Sequence, residues 1–212
     1  MCNSYRLHVP VNVIGDVFRQ ADRPLHFPDG QPNLPATDDI RIGDRAPIIM
    51  LDDDALQLTM MTWSWKGPGG RPVFNFRSDG RRFDGSKRCL IPADGFYEFT
   101  DAPPGQKRKT KWLFTMTGEP WFWIAGVVRD GAFAMLTTEP GVDVAPYHDR
   151  QVVVLAPGDG IAWLDMSKPM AAAMSRRKLK ASARELSCSQ QPGGHPPSLW
   201  RFSRQRCRLL QK

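Results

Sequence analysis

The chain has 212 residues and a formal net charge of +7, and 41% of its residues are hydrophobic and 24% are charged. These values fit one globular domain with a substantial core and exclude a disordered or fibrous protein. No apolar run approaches the roughly 18 residues of a membrane span, and no basic segment precedes an apolar one near the start, so we expect a cytoplasmic protein with no membrane contact.

The chain opens Met1-Cys2-Asn3-Ser4. Cysteine is small enough for an aminopeptidase to remove the methionine before it, which would leave one residue with a free α-amine and a thiol on adjacent carbons. The reference pKa is about 7.7 to 8 for such an amine and about 8.5 for the thiol, so both are partly nucleophilic at neutral pH. The position alone fits a small buried hydrophobe at a strand end equally well.

Hydrophobic periodicity predicts a short amphipathic helix over 12–20, after an N-terminal strand, and a turn-rich segment over 22–47. A second helix is predicted over 158–166. Short strand-like runs lie between these segments, at 46–51, 56–63, 88–92, 95–99, 112–117, 121–128, 132–138 and 151–155. The pattern favours a meandering, largely antiparallel sheet or barrel with peripheral helices.

The C-terminal part of the chain is basic. Residues 175–187 predict a basic helix, and the sequence beyond them loses periodicity and gains Pro, Gly and Arg. We therefore divide the chain into a folded domain over 1–187 and a loosely ordered basic tail over 188–212.

Charge and cysteine spacing indicate the kind of partner. Residues 66–112 carry 11 Lys and Arg against 5 Asp and Glu, and residues 175–212 carry 10 against 1. Such clustering favours contact with a polyanion such as nucleic acid over an evenly solvated surface. The four cysteines are far apart with no CxxC pair, so we predict no metal site, no disulfide framework and no cofactor.

Three short sequence strings, which follow Cys2 along the chain, each contain side chains that can bind anions or transfer protons. Asn75 and Arg77 lie two apart in RPVFNFRSDG, on one face if the segment is extended. Glu98 lies among aromatic residues in PADGFYEF, and His148 and Arg150 precede an apolar strand in PYHDRQVVVL. Taken singly, each of these residues is read as structural. Their ordered occurrence after a second-position cysteine favours a site.

Together with Cys2, these strings resemble the SRAP family, the SOS-response-associated peptidases that act as abasic-site processing proteins. The resemblance runs from Cys2 to about Leu155, and MTWSWKGPGG, with Trp63, is similar to the family's tryptophan-containing loop. It implies a single α+β domain around a β-barrel-like core, with a positively charged groove for single-stranded DNA beside the cysteine. The chain departs from the family at Asn3-Ser4, where Gly-Arg is common.

The resemblance implies an enzyme of the DNA damage (SOS) response that crosslinks covalently to abasic sites in single-stranded DNA. The Cys2 amine would form an imine with the sugar aldehyde, and the thiol would close it to a thiazolidine. Glu98 would deprotonate the α-ammonium, His148 would protonate the sugar oxygen, and Asn75 would fix the geometry. Strand scission by β-elimination, a lyase activity, would be a side reaction.

DNA binding in this reading falls to three residues. Arg77 and Arg150 would bind the flanking phosphates, and Trp63 would contact the DNA. The partner is single-stranded DNA with an abasic site, and we expect a monomer with no obligate protein partner.

Two other functions stay open on the same residues. Cys2 with Glu98 and Asn75 also resembles, in outline, an N-terminal-nucleophile cysteine peptidase, a hydrolase that releases Met1 or a short leader. A non-catalytic single-stranded DNA-binding module with Trp63 and Trp65 on its surface would explain the charge and the aromatics. It would not explain Cys2 together with Glu98.

Overall fold

A computed structural model of the protein describes residues 2–79, 86–166 and 178–184. Two α-helices lie in these ranges, α1 (Val11–Arg19) and α2 (Gly160–Leu164). The strands of these ranges are β1 (Ser4–Leu7), β2 (Thr37–Arg41), β3 (Arg45–Asp52), β4 (Ala55–Trp63), β5 (Trp65–Lys66), β6 (Pro72–Val73), β7 (Asn75–Arg77), β8 (Lys87–Ala93), β9 (Gly95–Thr100), β10 (Thr110–Met116), β11 (Phe122–Arg129), β12 (Ala132–Thr138), β13 (Gln151–Val152), β14 (Val154–Leu155) and β15 (Leu179–Arg184).

The smaller of the two main sheets places the N-terminal strand β1 between β9 and the edge strand β2. Its strands run in the order β15-β10-β9-β1-β2, and each neighbouring pair is antiparallel. Tyr5 of β1 is paired with Phe96 of β9, so the residues before β1 continue alongside the later part of β9. The sheet thereby carries Cys2 toward Glu98.

The larger sheet closes on itself. Its main path is β13-β12-β4-β3-β8-β11-β14, and β12 also pairs with β11, so β12, β4, β3, β8 and β11 form a ring. Most pairs are antiparallel, but β7 and β4 lie parallel to β12. The predicted α+β domain with a largely antiparallel, barrel-like sheet and peripheral helices is confirmed.

Aromatic side chains fill the space between the two sheets. Tyr5 meets Trp63 edge-on with 5.5 Å between ring centroids, and Phe96 meets Phe122 edge-on at 6.4 Å. All four rings are fully buried. Burial of one such side chain stabilises the fold by roughly 1.5–3 kcal/mol, so these contacts hold the two sheets together.

Most predicted elements agree with the observed ones, but β2 lies in the segment predicted to be turn-rich, the short strands β5, β6 and β7 lie outside the predicted strand runs, and the C-terminal element differs. The predicted helices at 12–20 and 158–166 correspond to α1 and to a short 3₁₀ turn followed by α2. The helix predicted over 175–187 is wrong where the structure describes it, because Leu179–Arg184 is a strand that pairs with β10 over six residues. Residues 175–177, 185–187 and the predicted tail, 188–212, lie outside the described residues.

The physical reason for the strand is the alternation of small or apolar residues with polar ones. Leu179, Ala181 and Ala183 alternate with Lys180 and Ser182, which is the period of a strand and not of a helix. Leu179 is buried against the core, and β10 would otherwise present an unpaired edge.

In the ranges described, neither helix has the length and apolar character needed to cross a membrane.

Candidate active site

Cys2 lies just before β1, and its carbonyl is bound by a residue from the other sheet. Asn75 Nδ2 donates a hydrogen bond of 2.7 Å to the carbonyl oxygen of Cys2. The thiol is 1% exposed and donates to the carbonyl of Ser4 at 3.2 Å. Both interpretations of Cys2 from the sequence therefore describe it: the residue is buried next to a strand, and its carbonyl is held in place as that of a reactive residue would be.

Burial changes the chemistry expected of this thiol. Desolvation raises the pKa of Cys2 well above its usual range, and the nearby charge of Glu98 raises it further. The sequence predicts a few per cent of thiolate at neutral pH, but the structure gives a protonated thiol. Any bond that this sulfur forms therefore needs a neighbouring group to accept its proton.

Glu98 is a buried acid on β9, in the strand that pairs with β1. The residue is 1% exposed, and burial raises the pKa of its carboxyl to about 7, although the positive charge of the chain's amino terminus acts in the opposite direction. Gly95 lets β10 approach this strand closely, because a Cβ there would lie 2.5 Å from a methyl carbon of Leu113. Near pH 7 such a carboxyl can both accept and release a proton.

His148 lies on the turn segment between β12 and β13 and faces the same acid. Its Nε2 is 3.9 Å from Glu98 Oε2, and its side chain is 21% exposed. Burial lowers the pKa of the imidazole, so the ring is neutral at pH 7. The structure therefore brings together Cys2, Asn75, Glu98 and His148, as the sequence predicts.

The proton of the His148 ring can be assigned from its neighbours. Nδ1 accepts a hydrogen bond of 3.0 Å from the backbone N–H of Arg150 and also lies 2.8 Å from Asp149 Oδ1. An amide N–H can only donate, and the Asp149 side chain is 86% exposed to competing water, so we assign Nδ1 as the acceptor. The ring proton then lies on Nε2, the nitrogen that faces Glu98.

The turn segment that carries His148 is fixed at several points. Gln151 Oε1 accepts a 2.7 Å hydrogen bond from the backbone N–H of Gly141, which closes the segment. The Tyr147 ring packs edge-on against Trp112 and Phe114 of β10, with centroid distances of 4.7 and 5.3 Å. The sequence analysis did not select these aromatic residues. Their packing holds Tyr147, the neighbour of His148, against β10.

The two predicted phosphate ligands differ in their surroundings. Arg77 is exposed at the end of β7, two residues from Asn75, where its guanidinium is open to an anion. Arg150 is 11% exposed and its Nη2 donates to Asp79 Oδ2 at 2.6 Å, so it is already bound by a carboxylate of this chain. Asp79 lies in the same string as Arg77 but was not selected from the sequence.

Trp63 requires a correction, because its indole has no surface to offer DNA. The residue is 0% exposed, stacks on Phe133 and donates from Nε1 to the carbonyl of Phe74 at 2.9 Å. Phe74 directly precedes Asn75 at the start of β7. The structure thus gives Trp63 a supporting role, since it anchors the strand that presents Asn75.

The chemistry available here combines a thiol, a carboxyl that titrates near neutrality and a neutral imidazole. An amine placed among them would exchange protons with the carboxyl, and an electrophilic carbon would meet both the amine and the sulfur. Within the described part of the chain, no three His, Cys, Asp or Glu side chains are grouped as metal ligands would be.

Comparison with known proteins gives one family. The model of the SOS response associated peptidase (SRAP) family matches residues 1–190. The abasic site processing protein YoaM of Bacillus subtilis is 29% identical over 188 residues, covering 78% of this chain and 79% of YoaM. YobE of the same organism, also an abasic site processing protein, is 35% identical over 89 residues, which is 40% of its length.

Solved structures share the fold. A protein from Bacteroides thetaiotaomicron matches with a TM-score of 0.65 at 18% identity, covering 87% of this chain and 93% of that one. A phage-related protein from Bordetella bronchiseptica matches with a TM-score of 0.62 at 22% identity, covering 87% and 96%. At these identities the likeness concerns the fold alone.

Proposed function

The chain belongs to the SOS response associated peptidase family, whose model spans residues 1–190, and we propose from this premise that it processes abasic sites in single-stranded DNA. We further propose that it does so by forming a covalent crosslink through Cys2. The proposal requires Cys2 to become the amino-terminal residue, by removal of Met1.

The observation that carries the proposal is the convergence of a buried acid on the start of the chain. Glu98 is 1% exposed and lies in the strand next to β1, and His148 faces it from a separate segment. A buried carboxyl costs stability unless something compensates it. The α-ammonium of Cys2, held by the Asn75 bond to its carbonyl, would exchange protons with this carboxyl during the reaction.

The reaction would proceed in three balanced steps. Glu98 takes a proton from the α-ammonium, and the free amine adds to the C1 aldehyde of the ring-opened sugar to give a carbinolamine. The carbinolamine loses its hydroxyl as water, with Glu98, protonated in the first step, as the proton donor, and becomes an imine as its nitrogen returns a proton to Glu98. The Cys2 sulfur then bonds to the imine carbon while its proton passes by way of Glu98 to the nitrogen, which closes the thiazolidine.

Asn75 supplies orientation in this scheme. Its Oδ1 is buried and has no hydrogen-bond partner among the described residues, while its Nδ2 is used by Cys2. An orphaned acceptor at this position suits a sugar hydroxyl or the α-ammonium. Holding the amine and aldehyde at bonding distance is the contribution expected of a group that does not titrate.

Burial of the tryptophans weighs against the binding-module alternative. Trp63 and Trp65 are 0% and 7% exposed, so neither presents a face on which a base could stack.

The test is covalent capture of a single-stranded oligonucleotide with one abasic site. We expect a heat-stable adduct without borohydride, and intact mass should show that the reactive species lacks Met1. Cys2→Ser keeps the amine and should give an adduct that only borohydride traps. An equal yield of stable adduct from Cys2→Ala would refute the proposal.

A further inference from the structure

Aromatic side chains surround Glu98 on its face of the smaller sheet. In the pairing of β9 with β10, Trp112 lies opposite Glu98 and Phe114 lies opposite Phe96. Residues directly opposite in an antiparallel pair present their side chains on the same face, with Cβ atoms about 4.5–5.5 Å apart. Glu98 is therefore one of four neighbouring side chains, and the other three are aromatic rings.

Tyr147 covers the β10 half of this group. Its ring meets Trp112 edge-on at 4.7 Å and Phe114 edge-on at 5.3 Å. The next residue along the chain is His148, whose Nε2 is 3.9 Å from Glu98 Oε2. Glu98 thus has an aromatic neighbour across the strands, His148 has one along the chain, and these two rings are in contact. The contact bounds the Glu98–His148 pair on the side of β10.

The two rings lie between the acid and solvent on that side. Trp112 and Tyr147 are both partly buried, whereas Glu98 is 1% exposed. The indole is also fixed in place, because its Nε1 donates a 2.9 Å hydrogen bond to Thr100 Oγ1. A carboxyl kept from water in this way is ionised less easily, in agreement with the raised pKa of Glu98.

We propose that Trp112 and Tyr147 are positioning residues that act through Glu98, by excluding water from the Glu98–His148 pair on the side of β10. The effect on crosslinking rests on the proposed function, whereas the exclusion of water is a property of the free protein. Four other groups act on the charge of Glu98, and the variants below retain all of them: the chain's amino terminus, His148, Asp149 and the Cys2 thiol.

Two variants of Tyr147 test the role of its ring. Tyr147→Ala admits water, so the pKa of Glu98 should fall from about 7 by about one pH unit or more. Tyr147→Phe keeps the ring and should leave that pKa unchanged. An unchanged pKa in Tyr147→Ala would overturn the proposal. Equal shifts in both variants would do so as well, because they would assign the effect to the hydroxyl.

Carbon-13 NMR of the glutamate carboxyl carbons, titrated in the free protein, measures this pKa. The sequence has only three other glutamates, at positions 119, 139 and 185. Glu98→Gln therefore identifies the signal of interest by its loss.

Trp112→Leu removes the second ring and leaves the turn segment unaltered, so it should lower the pKa of Glu98 by a similar amount. Trp121→Leu is the matched control. Trp121 is 5% exposed just before β11 and meets Trp123 edge-on at 4.6 Å. Its variant should lower stability without moving the Glu98 titration. An equal fall in the control would indicate a general loosening of the core and would overturn the proposal.

The crosslinking reaction gives a second readout. At saturating DNA, the pH optimum of the rate should move to lower pH in Tyr147→Ala and Trp112→Leu, together with the Glu98 titration. Affinity for an intact single-stranded oligonucleotide should stay within about twofold, since no phosphate contact changes.

The opposite pattern would identify the rings as a surface on which a base stacks. Affinity would then fall by about tenfold or more in both variants while the Glu98 titration stayed unchanged, which would overturn the proposal. If the wild-type protein forms no adduct but the Glu98 titration responds to both variants, the proposed function fails and the exclusion of water stands.

Discussion

At the scale of one residue, the burial of Glu98 affects both the stability of the folded protein and the proton transfers proposed for the site. Its pKa of about 7 means that near neutral pH it exists as both acid and carboxylate, which suits a group that takes up and returns a proton. The same burial makes the ionised form unfavourable in the folded protein. His148 lies beside it as a neutral ring, because burial lowers the pKa of the imidazole.

Glu98→Gln should make stability less sensitive to pH. The pKa of Glu98 rises from 4.5 to about 7 on folding, so the native state retains a proton that the unfolded chain releases. Wild-type stability should therefore be full below pH 4.5 and should fall as the pH rises toward 7. Relative to wild type, the variant should gain about 3 kcal/mol between about pH 4 and about pH 8.

Urea unfolding at a series of pH values measures this difference, with exposed Glu119→Gln as the control. The control should follow the wild-type curve. Parallel curves for Glu98→Gln and wild type would mean that Glu98 has an ordinary pKa. The same variant should crosslink slowly, so activity and stability should change in opposite directions.

At the scale of elements, β15 both completes a sheet and supports the site. It pairs with β10 from Lys111 with Arg184 to Met116 with Leu179. The backbone N–H of Leu179 also donates to Asp143 Oδ2 at 3.2 Å, in the turn segment that carries His148. β15 is therefore connected, through Asp143, to the segment that carries the candidate catalytic histidine.

Two shortened chains should behave differently. A chain ending at Arg184 retains β15 and should keep the stability and crosslinking rate of the full chain. A chain ending at Lys178 should lose at least about 2 kcal/mol, from the burial of Leu179 alone, and should crosslink more slowly because Asp143 loses its partner. Thermal unfolding and single-turnover rates compare them, and similar values for both chains would argue against a supporting role for β15.

At the scale of the whole molecule, the positive charge is concentrated in residues 66–112 and 175–212. Arg77 belongs to the first group and is exposed beside Asn75, where a DNA backbone would pass if the abasic sugar reached Cys2. The second group is largely outside the described residues. We propose that residues 188–212 add nonspecific affinity for DNA.

Salt dependence should separate the two groups of charges. In a chain ending at Arg184, the logarithm of affinity for single-stranded DNA should fall with log[salt] at about −0.7 per neutralised phosphate. Arg77→Ala should flatten that slope by about one contact, whereas Arg19→Ala on α1 should leave it unchanged. An unchanged slope for Arg77→Ala would remove Arg77 from the DNA contact.

Secondary structure could be predicted from the sequence where both the hydrophobic period and the length of a run are those of one kind of element. The eight strand runs predicted between 46 and 155 follow from apolar and β-branched residues, whereas the short strands β5, β6 and β7 lie outside those runs. β2 was hidden in a proline-rich stretch, and β15 was read as a helix because its basic residues obscured the alternation of Leu179, Ala181 and Ala183. Both are edge strands that local propensity specifies weakly.

The site was predictable as a set of residues but not in its electrostatics. Asn75, Glu98 and His148 could be selected from their strings, whereas the state of the Cys2 thiol depends on burial by distant segments. Trp63 was assigned to the surface because sequence does not reveal which side of a strand end faces the core. The partner of Arg150 is 71 residues away along the chain, so no local pattern could identify it.

The enclosure of Cys2 also governs how the protein withstands oxidants. Peroxide and small alkylating agents attack thiolates that they can reach, and this sulfur is protonated and 1% exposed. Iodoacetamide should therefore modify Cys2 slowly in the native protein and rapidly after unfolding in urea, as followed by peptide mass spectrometry. Equally fast modification in both states would show that the sulfur is accessible. If the proposed reaction holds, a thiol protected in this way stays reduced until the aldehyde of the abasic sugar is bound beside it.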